Sequence, residues 1–419
     1  MTNHPFTPLR HRAVRLLWTA AVVSDIGTWV QLIVVGSLVA GDTGSAVQTG
    51  LVALATFMPQ GFASPIGGLL ADRFDRRKVF AAGLMAQAAV TMALAVTLAA
   101  GVRTPAVLTL FILLASAAGA VGAPSYSAML PDLVPPEDLV AMLSLGVYSW
   151  NGGRIIGPML GAVLATSFGP AWTVTFNAAS FVVLASAVAL VRRPFRPRGD
   201  GGGTVRDRLA GGWRAMRAGP GCRTGVVILV LYNLTAIPFM GLMPIYAKAV
   251  FGGGTATAGT LASAQGIGAI LGGLAAAMAA QRLARSTLVL GIVGVMSVSL
   301  TAYALAPTLP LAVAAVVPLG GSVAAAFIVI TAVVQRDAPD ASRGRVMSLM
   351  QASMGICYGL GLLFIGFIGD MRGLRTAFTV GAVLTVVTFA LLTRFLPSWR
   401  SDVDGVVAEE PATADLCPA

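Results

Sequence analysis

Charged residues, histidines and cysteines are scarce in this sequence. Only 11% of its 419 residues are charged, whereas soluble domains average about 25%. Both histidines, His4 and His11, lie in the N-terminal tail, where we expect them to be solvated. The three cysteines, Cys222, Cys357 and Cys417, are too far apart to indicate a disulfide framework or a metal site. The composition excludes an ordinary soluble domain, and we expect no metal or other cofactor.

Nucleotide-binding motifs and catalytic groupings are also missing from the sequence. It contains no G-x-x-x-x-G-K-[ST] motif, which ATP-driven proteins use to hold phosphates. Its apolar segments contain no Ser/His/Asp grouping, metal-binding set or paired carboxylates, one of which a membrane-embedded enzyme would need. The sequence therefore favours neither an ATP-driven protein nor an enzyme.

Long apolar stretches make up most of the chain, which is 56% hydrophobic. Runs of about 18 or more apolar residues are typical of membrane-spanning helices. We predict twelve of them, at residues 16–40, 46–70, 79–100, 105–129, 140–166, 171–191, 224–247, 256–280, 286–306, 309–334, 346–369 and 374–396. We expect no cleaved signal peptide at the start. The predicted fold class is an all-α integral membrane protein.

The net charge of +11 follows the predicted topology. If the N-terminus lies in the cytoplasm, the cytoplasmic loops contain most of the basic residues, including the runs 73–78 and 192–223. The opposite loops contain only Arg103, Lys248, Arg372 and Arg375. This asymmetry is the positive-inside bias, and it predicts that both termini are cytoplasmic. The basic charge therefore indicates topology and not nucleic-acid binding.

Asp25 is the only acidic residue inside any of the twelve predicted spans. A carboxylate at the bilayer centre costs about 2.5–3.5 kcal/mol, so such a residue usually has a function. Arg154 is the only basic residue deep in a span, and its predicted depth differs from that of Asp25 by roughly 7 Å. The two residues could serve proton coupling, or they could form a permanent ion pair that keeps Asp25 ionised.

The sequence repeats itself with an offset of about 204 residues. Residues 131–145 (PDLVPPEDLVAMLSL) match residues 335–349 (QRDAPDASRGRVMSL), and the segment starting at Gly67 matches that starting at Gly272. We predict a six-helix half at 1–191, a cytoplasmic linker at 192–223, a second six-helix half at 224–397 and a disordered cytoplasmic tail at 398–419. Two such halves are typical of secondary transporters, which bind substrate between them.

The predicted linker is rich in Arg, Gly and Pro. Its residues 204–217 could form an amphipathic helix on the membrane surface, with one apolar side made of Val205, Leu209, Trp213 and Met216. A flexible linker with solvated charges fits the composition equally well.

Small residues recur at helical spacing in three predicted spans. They are Gly153, Gly157 and Gly161 around Pro158 in the fifth span, Gly268 and Gly272 in the eighth, and Gly355 and Gly359 in the eleventh. Such seams let helix backbones approach closely. They could serve static packing, or they could be surfaces along which two halves slide. We expect Pro158 to kink the fifth span.

The segment GGLLADRFDRRK, between the second and third predicted spans, resembles the motif G-x-L-a-D-R-x-G-R-R/K of the major facilitator superfamily. The matching residues are Gly68, Leu70, Asp72, Arg73, Arg76 and Arg77. Asp75 replaces the second glycine, which is similar to the branch of siderophore and macrolide exporters. Further segments resemble that branch, namely SDIGTWVQ at 24–31, NGGRIIGPMLG at 151–161, FNAASF at 176–181 and RGRVMSL at 343–349. Ser125, Tyr126 and Ser127 depart from the charged or amide pair that the branch often has in its fourth helix.

The resemblance implies a gate at the cytoplasmic end. In the superfamily, the Asp that matches Asp72 satisfies free N–H groups of a helix in the other half and stabilises the outward-facing state. The arginines of the motif would pair with Asp72 and Asp75. We expect the gating loops to consist of Gly68, Asp72, Arg73, Arg76, Arg77, Arg343, Gly344 and Arg345. These charges could instead serve only as topology signals.

The resemblance also places a substrate cavity among the first, fourth, seventh and tenth helices. The candidate lining residues are Trp29, Gln31, Tyr126, Asn233, Met240, Phe327 and Thr331. Aromatic and Met side chains with few charges suit a bulky, partly apolar substrate. We expect at least half of these candidates to be ordinary packing residues.

Together these features predict a transporter with the major facilitator fold in the bacterial inner membrane. It would export a small amphipathic molecule by alternating access in exchange for protons. Its partners would be the substrate, protons and the lipid bilayer, and a monomer is compatible with this prediction. The alternatives are proton-coupled uptake, and, from other classes, a membrane-embedded enzyme or a lipid scramblase.

Overall fold

The computed structural model describes residues 6–191, 205–339 and 342–405. This part of the chain is helical and contains no strand. The first half comprises α1 (Arg12–Thr43), α2 (Ala46–Phe57), α3 (Pro59–Phe62), α4 (Ser64–Arg73), α5 (Arg76–Ala99), α6 (Pro105–Met129), α7 (Leu139–Phe168) and α8 (Pro170–Leu190). The rest comprises α9 (Val205–Ala218), α10 (Pro220–Thr235), α11 (Met243–Phe251), α12 (Thr255–Ala279), α13 (Arg285–Leu305), α14 (Leu309–Asp337), α15 (Arg343–Arg372), α16 (Leu374–Phe395) and α17 (Trp399–Asp404). Residues 192–204 of the predicted linker, 406–419 of the predicted tail, and with them His4 and Cys417, lie outside the described residues.

Nine of the described helices are long and apolar enough to cross a membrane, compared with the twelve spans predicted. The second predicted span is divided into α2, α3 and α4, and Pro59 stands at the first break. The seventh is divided into α10, a 3₁₀ turn at Ile237–Met240 and α11, with Pro238 in the 3₁₀ turn and Pro244 in the first turn of α11. Proline has no backbone N–H, so each of these positions lacks a helical hydrogen bond. α7 has 30 residues but is not one of the nine.

The bundle has two chemically different ends. We call the end at which α1 begins the arginine-rich end, because segments 73–76, 219–223 and 280–285, which contain arginines, lie at the helix ends there. We call the other the arginine-poor end. It contains the turns between α7 and α8 and between α15 and α16, in which Gly169 and Gly373 both have φ of 84°. These two glycines are 204 residues apart, so the same turn geometry recurs at the offset of the sequence repeat.

Part of the predicted linker is helical. α9 buries Met216, which is 6% exposed, and leaves Trp213 48% exposed. Gly212 of α9 packs against the backbone of Arg345 in α15. The chain here is therefore a helix that packs on the second half. The side chains of Val205 and Leu209 lie outside the described part.

The glycine seams of α7 and α12 pack within their own halves. A Cβ at Gly153 would lie 2.9 Å from the backbone carbonyl carbon of Asp25 in α1, and Gly161 faces Val30 of the same helix. Gly268 and Gly272 face the backbone of α14 at Val317 and Gly321. These contacts support the static-packing interpretation for both seams. α7 continues through Pro158.

The glycine seam of α15 packs between the halves. Gly355 faces the backbone oxygen of Phe57, Gly359 faces Leu54, and Gly366 faces the start of α2 at Ala46. Only this one of the three predicted seams has the location that a sliding surface requires.

The close approach of α12 to α14 makes Gly272 sensitive to added volume. In Gly272→Ala, the new methyl group would meet the backbone of Gly321, which cannot move aside as a flexible side chain can. Overpacking typically costs about 1–3 kcal/mol, so we expect a lower unfolding temperature in detergent. The matched control is Gly291→Ala in α13, where a Cβ meets nothing within 4 Å. If the two variants are equally stable, the described α12–α14 contact is wrong.

Candidate functional site

A cavity of about 1100 Å³ lies between the two halves. It is lined by α1, α2, α3, α4, α6 and α7 of the first half and by α10, the 3₁₀ turn at Ile237–Met240 and α15 of the second. Gly344 and Arg345, in the first turn of α15, are among its lining residues, so the cavity reaches the arginine-rich end. Both halves therefore contribute to one chamber that is large enough for a drug-sized molecule.

Aromatic side chains form the floor of this cavity. Trp29 packs on Trp150 with ring centroids 5.3 Å apart, and Phe57 packs edge-on against Tyr358 at 5.7 Å. Trp29 also lies 6.4 Å from Phe57, which links the two pairs. Below this floor is a pocket of about 40 Å³ that shares Trp29, Phe57 and Tyr358 with the cavity.

At the arginine-poor end, Asp370 of α15 holds the start of α2. Its carboxylate accepts hydrogen bonds from the Ser45 hydroxyl at 2.7 Å and from the backbone N–H of Val47 at 3.2 Å, as well as from that of Ala46. The first N–H groups of a helix lack partners within the helix, and they favour a negative charge. Asp370 therefore joins the two halves through a helix end.

Lys248 of α11 makes the reciprocal contact with the end of α1. Its ammonium group donates to the backbone oxygens of Ala40, at 3.1 Å, and Gly41. The last carbonyl groups of a helix favour a positive charge. We call the bonds of Asp370 and Lys248 the closing contacts, because both hold the halves together at the end opposite the cavity mouth.

Asp25 lies in the middle of α1 and faces α7. Its carboxylate accepts a hydrogen bond from the hydroxyl of Ser149, which is buried. Every other acidic residue in the described spanning helices lies within two residues of a helix end. As predicted from the sequence, Asp25 is therefore far from the other acidic positions of the described spanning helices, which are at helix ends.

Asp25 and Arg154 do not form the ion pair that one of the two alternatives requires. No ion pair joins them at the 4.0 Å limit, although both lie in the described part of the chain. Arg154 instead donates through Nε to the side-chain oxygen of Gln265 at 2.8 Å, and its guanidinium lies 5.9 Å from the Trp29 ring. Successive residues of a helix point about 100° apart, so Gly153 faces Asp25 while Arg154 turns to α12.

Three of the seven predicted cavity residues line the cavity, namely Trp29, Asn233 and Met240. The other four, Gln31, Tyr126, Phe327 and Thr331, are not among its lining residues. Gln31 is buried and accepts a hydrogen bond from Asn177 at 2.7 Å, and Tyr126 packs on Phe80. These two side chains pack within the first half, because they lie on the sides of α1 and α6 that face neighbouring helices.

Arg76, in the first turn of α5, contacts the end of α6 and the 3₁₀ turn that follows it. Arg76 is buried, lies 3.6 Å from Asp132 and donates to the backbone oxygen of Ala128 at 3.1 Å. Asp75 is the N-cap of α5, and its side chain accepts a bond from the N–H of Arg77 at 2.8 Å. Aspartate is a favourable N-cap residue, which accounts for its presence where the motif has glycine.

Several functional residues escaped the sequence analysis. Phe57, Trp150 and Tyr358 form the floor, but in the sequence they are ordinary apolar residues of long helices. Asp370 lies just beyond the eleventh predicted span, so it was not counted as a membrane acid. Lys248 was noted only as one of the few basic residues on its side. Asp370 and Lys248 are charged residues at an end of the bundle that has few charges, and this was the feature of the sequence that could have identified them.

Comparisons with known proteins agree with this architecture. A family model described as a transmembrane secretion effector matches residues 3–415. The chain is 26% identical to the multidrug efflux pump Tap of Mycolicibacterium fortuitum, over 96% of this chain and 98% of that protein. It is 24% identical to macrolide efflux protein A of Streptococcus pyogenes, over 88% and 92%. Among solved structures, the chain resembles a bacterial homologue of the human lysosomal transporter Spinster in an inward-facing, unoccupied conformation. The TM-score is 0.69 at 17% sequence identity, and the match covers 95% of this chain and 97% of that one. At this identity the comparison shows a shared fold only.

Loss of the Asp370 charge should open the arginine-poor end more often. Asp370→Asn keeps the size of the side chain but removes the charge at the start of α2. We expect this to cost the closed state about 1–2 kcal/mol, which is roughly a 5–30-fold change in population. Spin labels on Val102 and Thr308, which are exposed in two turns at this end, would report longer distances.

The control for this measurement is Asp42→Asn. Asp42 is exposed at the same end, and no described residue bonds to it. Distances that lengthen equally in both variants, or in neither, would show that the Asp370 bonds do not hold this end closed.

Proposed function

This chain belongs to the transmembrane secretion effector family of the major facilitator superfamily, and we propose that it exports a small amphipathic molecule by alternating access in exchange for protons. The observation that supports this most directly is the cavity of about 1100 Å³ between the halves. It reaches the arginine-rich end, whereas the closing contacts hold the other end together. A site that is open to one end at a time is what alternating access requires.

The arginine-rich end would face the cytoplasm. Cytoplasmic loops of membrane proteins contain an excess of Lys and Arg, and this bias separates the two ends of the bundle clearly. The cavity would then be open to the cytoplasm, in the state that loads cargo for export. Both termini would lie on that side, in the inner membrane of a bacterium.

The cargo class follows from the walls of the cavity and from the relatives. Trp29, Trp150, Phe57 and Tyr358 offer aromatic surface, and Gln351 and Ser348 offer polar groups. A chamber of this kind suits a bulky molecule with both apolar and polar parts. Relatives named as multidrug and macrolide efflux proteins favour export of a drug or secondary metabolite over uptake.

Movement of the two halves, at 1–191 and 224–397, would convert one state into the other. The α2–α15 seam is the surface along which they would slide. Asp72, in the last turn of α4, would stabilise the outward-facing state after the cavity mouth closes, with Arg343, Gly344 and Arg345 near that mouth. Gly68 and the neighbouring arginines would shape the same gate.

Asp25 would carry the coupling proton. Among the described spanning helices it is the one acid that lies in the middle of a helix, and its hydrogen bond comes from Ser149 and not from a basic residue. This removes the main support for the hypothesis of a permanent Asp25–Arg154 ion pair. Arg154 would contribute from the cavity floor, one residue from the Gly153 backbone against which Asp25 packs.

Replacement of Asp25 should uncouple transport from the pH gradient. In proteoliposomes with Asp25→Asn, we expect benzylpenicillin, an amphipathic drug, to exchange across the membrane when the pH is equal on both sides, while an imposed pH gradient no longer drives its net movement. The physical reason is that an amide cannot bind and release a proton in this range. The measurement is the flux of labelled benzylpenicillin with and without the gradient.

Asp42→Asn, at the far end of the same helix, is the matched control and should retain gradient-driven flux. Net movement that persists in Asp25→Asn at the wild-type rate would rule out Asp25 as the coupling site.

A further inference from the structure

Three residues that line the small pocket below the cavity floor each have a buried nitrogen with no hydrogen-bond acceptor among the described residues. These nitrogens are the Nε1 of Trp29, the Nη2 of Arg154 and the Nε2 of Gln265, and all three atoms are enclosed. A buried donor without an acceptor costs about 1–3 kcal/mol, and more if it is charged. Three of them in residues that line one pocket indicate an acceptor that is not part of the chain.

The charge around this pocket is positive and unbalanced. The described residues that line the pocket and the cavity include Arg154 and Arg345, but no Asp or Glu. Arg154 has no carboxylate within 4.0 Å among the described residues. A buried cation without a counter-charge is strongly disfavoured. The missing acceptor should therefore be negatively charged.

The donors are held in place before anything binds. The bond from Arg154 Nε to Gln265 at 2.8 Å fixes both side chains, and the Trp29 ring lies 5.9 Å from the guanidinium. The pocket of about 40 Å³ exceeds the roughly 10–15 Å³ that one water needs. It has room for a carboxylate group or a halide ion, and it meets the cavity at the aromatic floor.

We propose that this pocket binds the anionic group of the cargo, with the apolar part of the cargo lying on the aromatic floor above it. The cargo class is thereby narrowed to amphipathic molecules with a carboxylate or a comparable small anionic group. This inference rests on the proposed function, since the cargo must enter the same cavity. A free anion such as chloride has the same chemistry and could occupy the pocket beside a neutral cargo.

The test is equilibrium binding of a matched pair of probes, 2-naphthoate and 2-naphthamide, to the full-length protein in nanodiscs by calorimetry. We expect the carboxylate to bind at least about tenfold more tightly than the amide, which corresponds to about 1.4 kcal/mol. Arg154→Gln should remove this preference. Gln265→Glu should also remove it, because the new carboxylate would occupy the pocket next to Arg154.

Two controls make the result specific. Arg282→Gln removes an exposed arginine from the α12–α13 turn and should leave the preference intact. Equal unfolding temperatures of the variants would show that they fold. Chloride that competes with naphthoate in the wild type, but does not bind Gln265→Glu, would identify a free anion as an occupant. An absence of competition would assign the pocket to the cargo carboxylate.

The proposal is overturned if the wild type binds neither probe, if it does not prefer the carboxylate, or if the preference survives both Arg154→Gln and Gln265→Glu. These measurements use no pH gradient. A protein that shows the preference but does not move benzylpenicillin, which has a carboxylate, in response to a pH gradient would therefore contradict only the proposed export function.

Discussion

The arrangement of the whole molecule depends on how helix ends are satisfied at the arginine-poor end. The first N–H groups of α2 have no partners in their own helix, and at the end of α1 the carbonyl of Ala40 accepts only the N–H of the cap residue Gly44 from its own segment. Asp370 and Lys248 supply partners from the other half. Because the halves are joined there and packed along the α2–α15 seam, space between them can open only toward the opposite end. The cavity, its aromatic floor and its mouth all follow from that constraint.

The broken helices belong to the same arrangement. α2, α3 and α4 form one interrupted path across the bundle, and α10 and α11 form its counterpart in the second half. Irregular backbone at membrane depth is tolerated where it is buried in protein or faces a water-filled cavity. Phe57 stands at one interruption and Ile237 at the other, and both line the cavity. The breaks therefore occur where the chain meets the chamber and not the lipid.

Sequence patterns were sufficient to predict the architecture, but they did not predict which neighbour each side chain faces. Hydropathy and the motif at Asp72 predicted an all-helical transporter fold, which the family and structural comparisons confirm. The estimated depth of residues within their spans also placed Asp25 near the level of Arg154, and Asp25 packs against the neighbouring Gly153 of α7. The rotation of each helix about its axis depends on its neighbours, which no single sequence displays. Gln31 therefore turned out to bond to Asn177, and Arg154 to Gln265. Prolines in the second and seventh spans indicated that these helices are interrupted. Both segments are apolar throughout, however, so hydropathy alone predicted one continuous helix for each.

The closing contacts also determine which positions of the sequence must be kept for this end to close. The groups that α1 and α2 offer to Asp370 and Lys248 are mostly backbone N–H and C=O, which are present whatever side chains occupy those positions. Substitutions in the first half at Gly41 and Val47, which are not buried, can thus accumulate without removing the partners, provided the helices end at the same places. In the first half only the hydroxyl of Ser45 contributes a side chain to these contacts, whereas the second half must conserve both Asp370 and Lys248. Hybrid transporters that combine halves from different relatives could therefore keep this end closed even where their outer turns share little sequence.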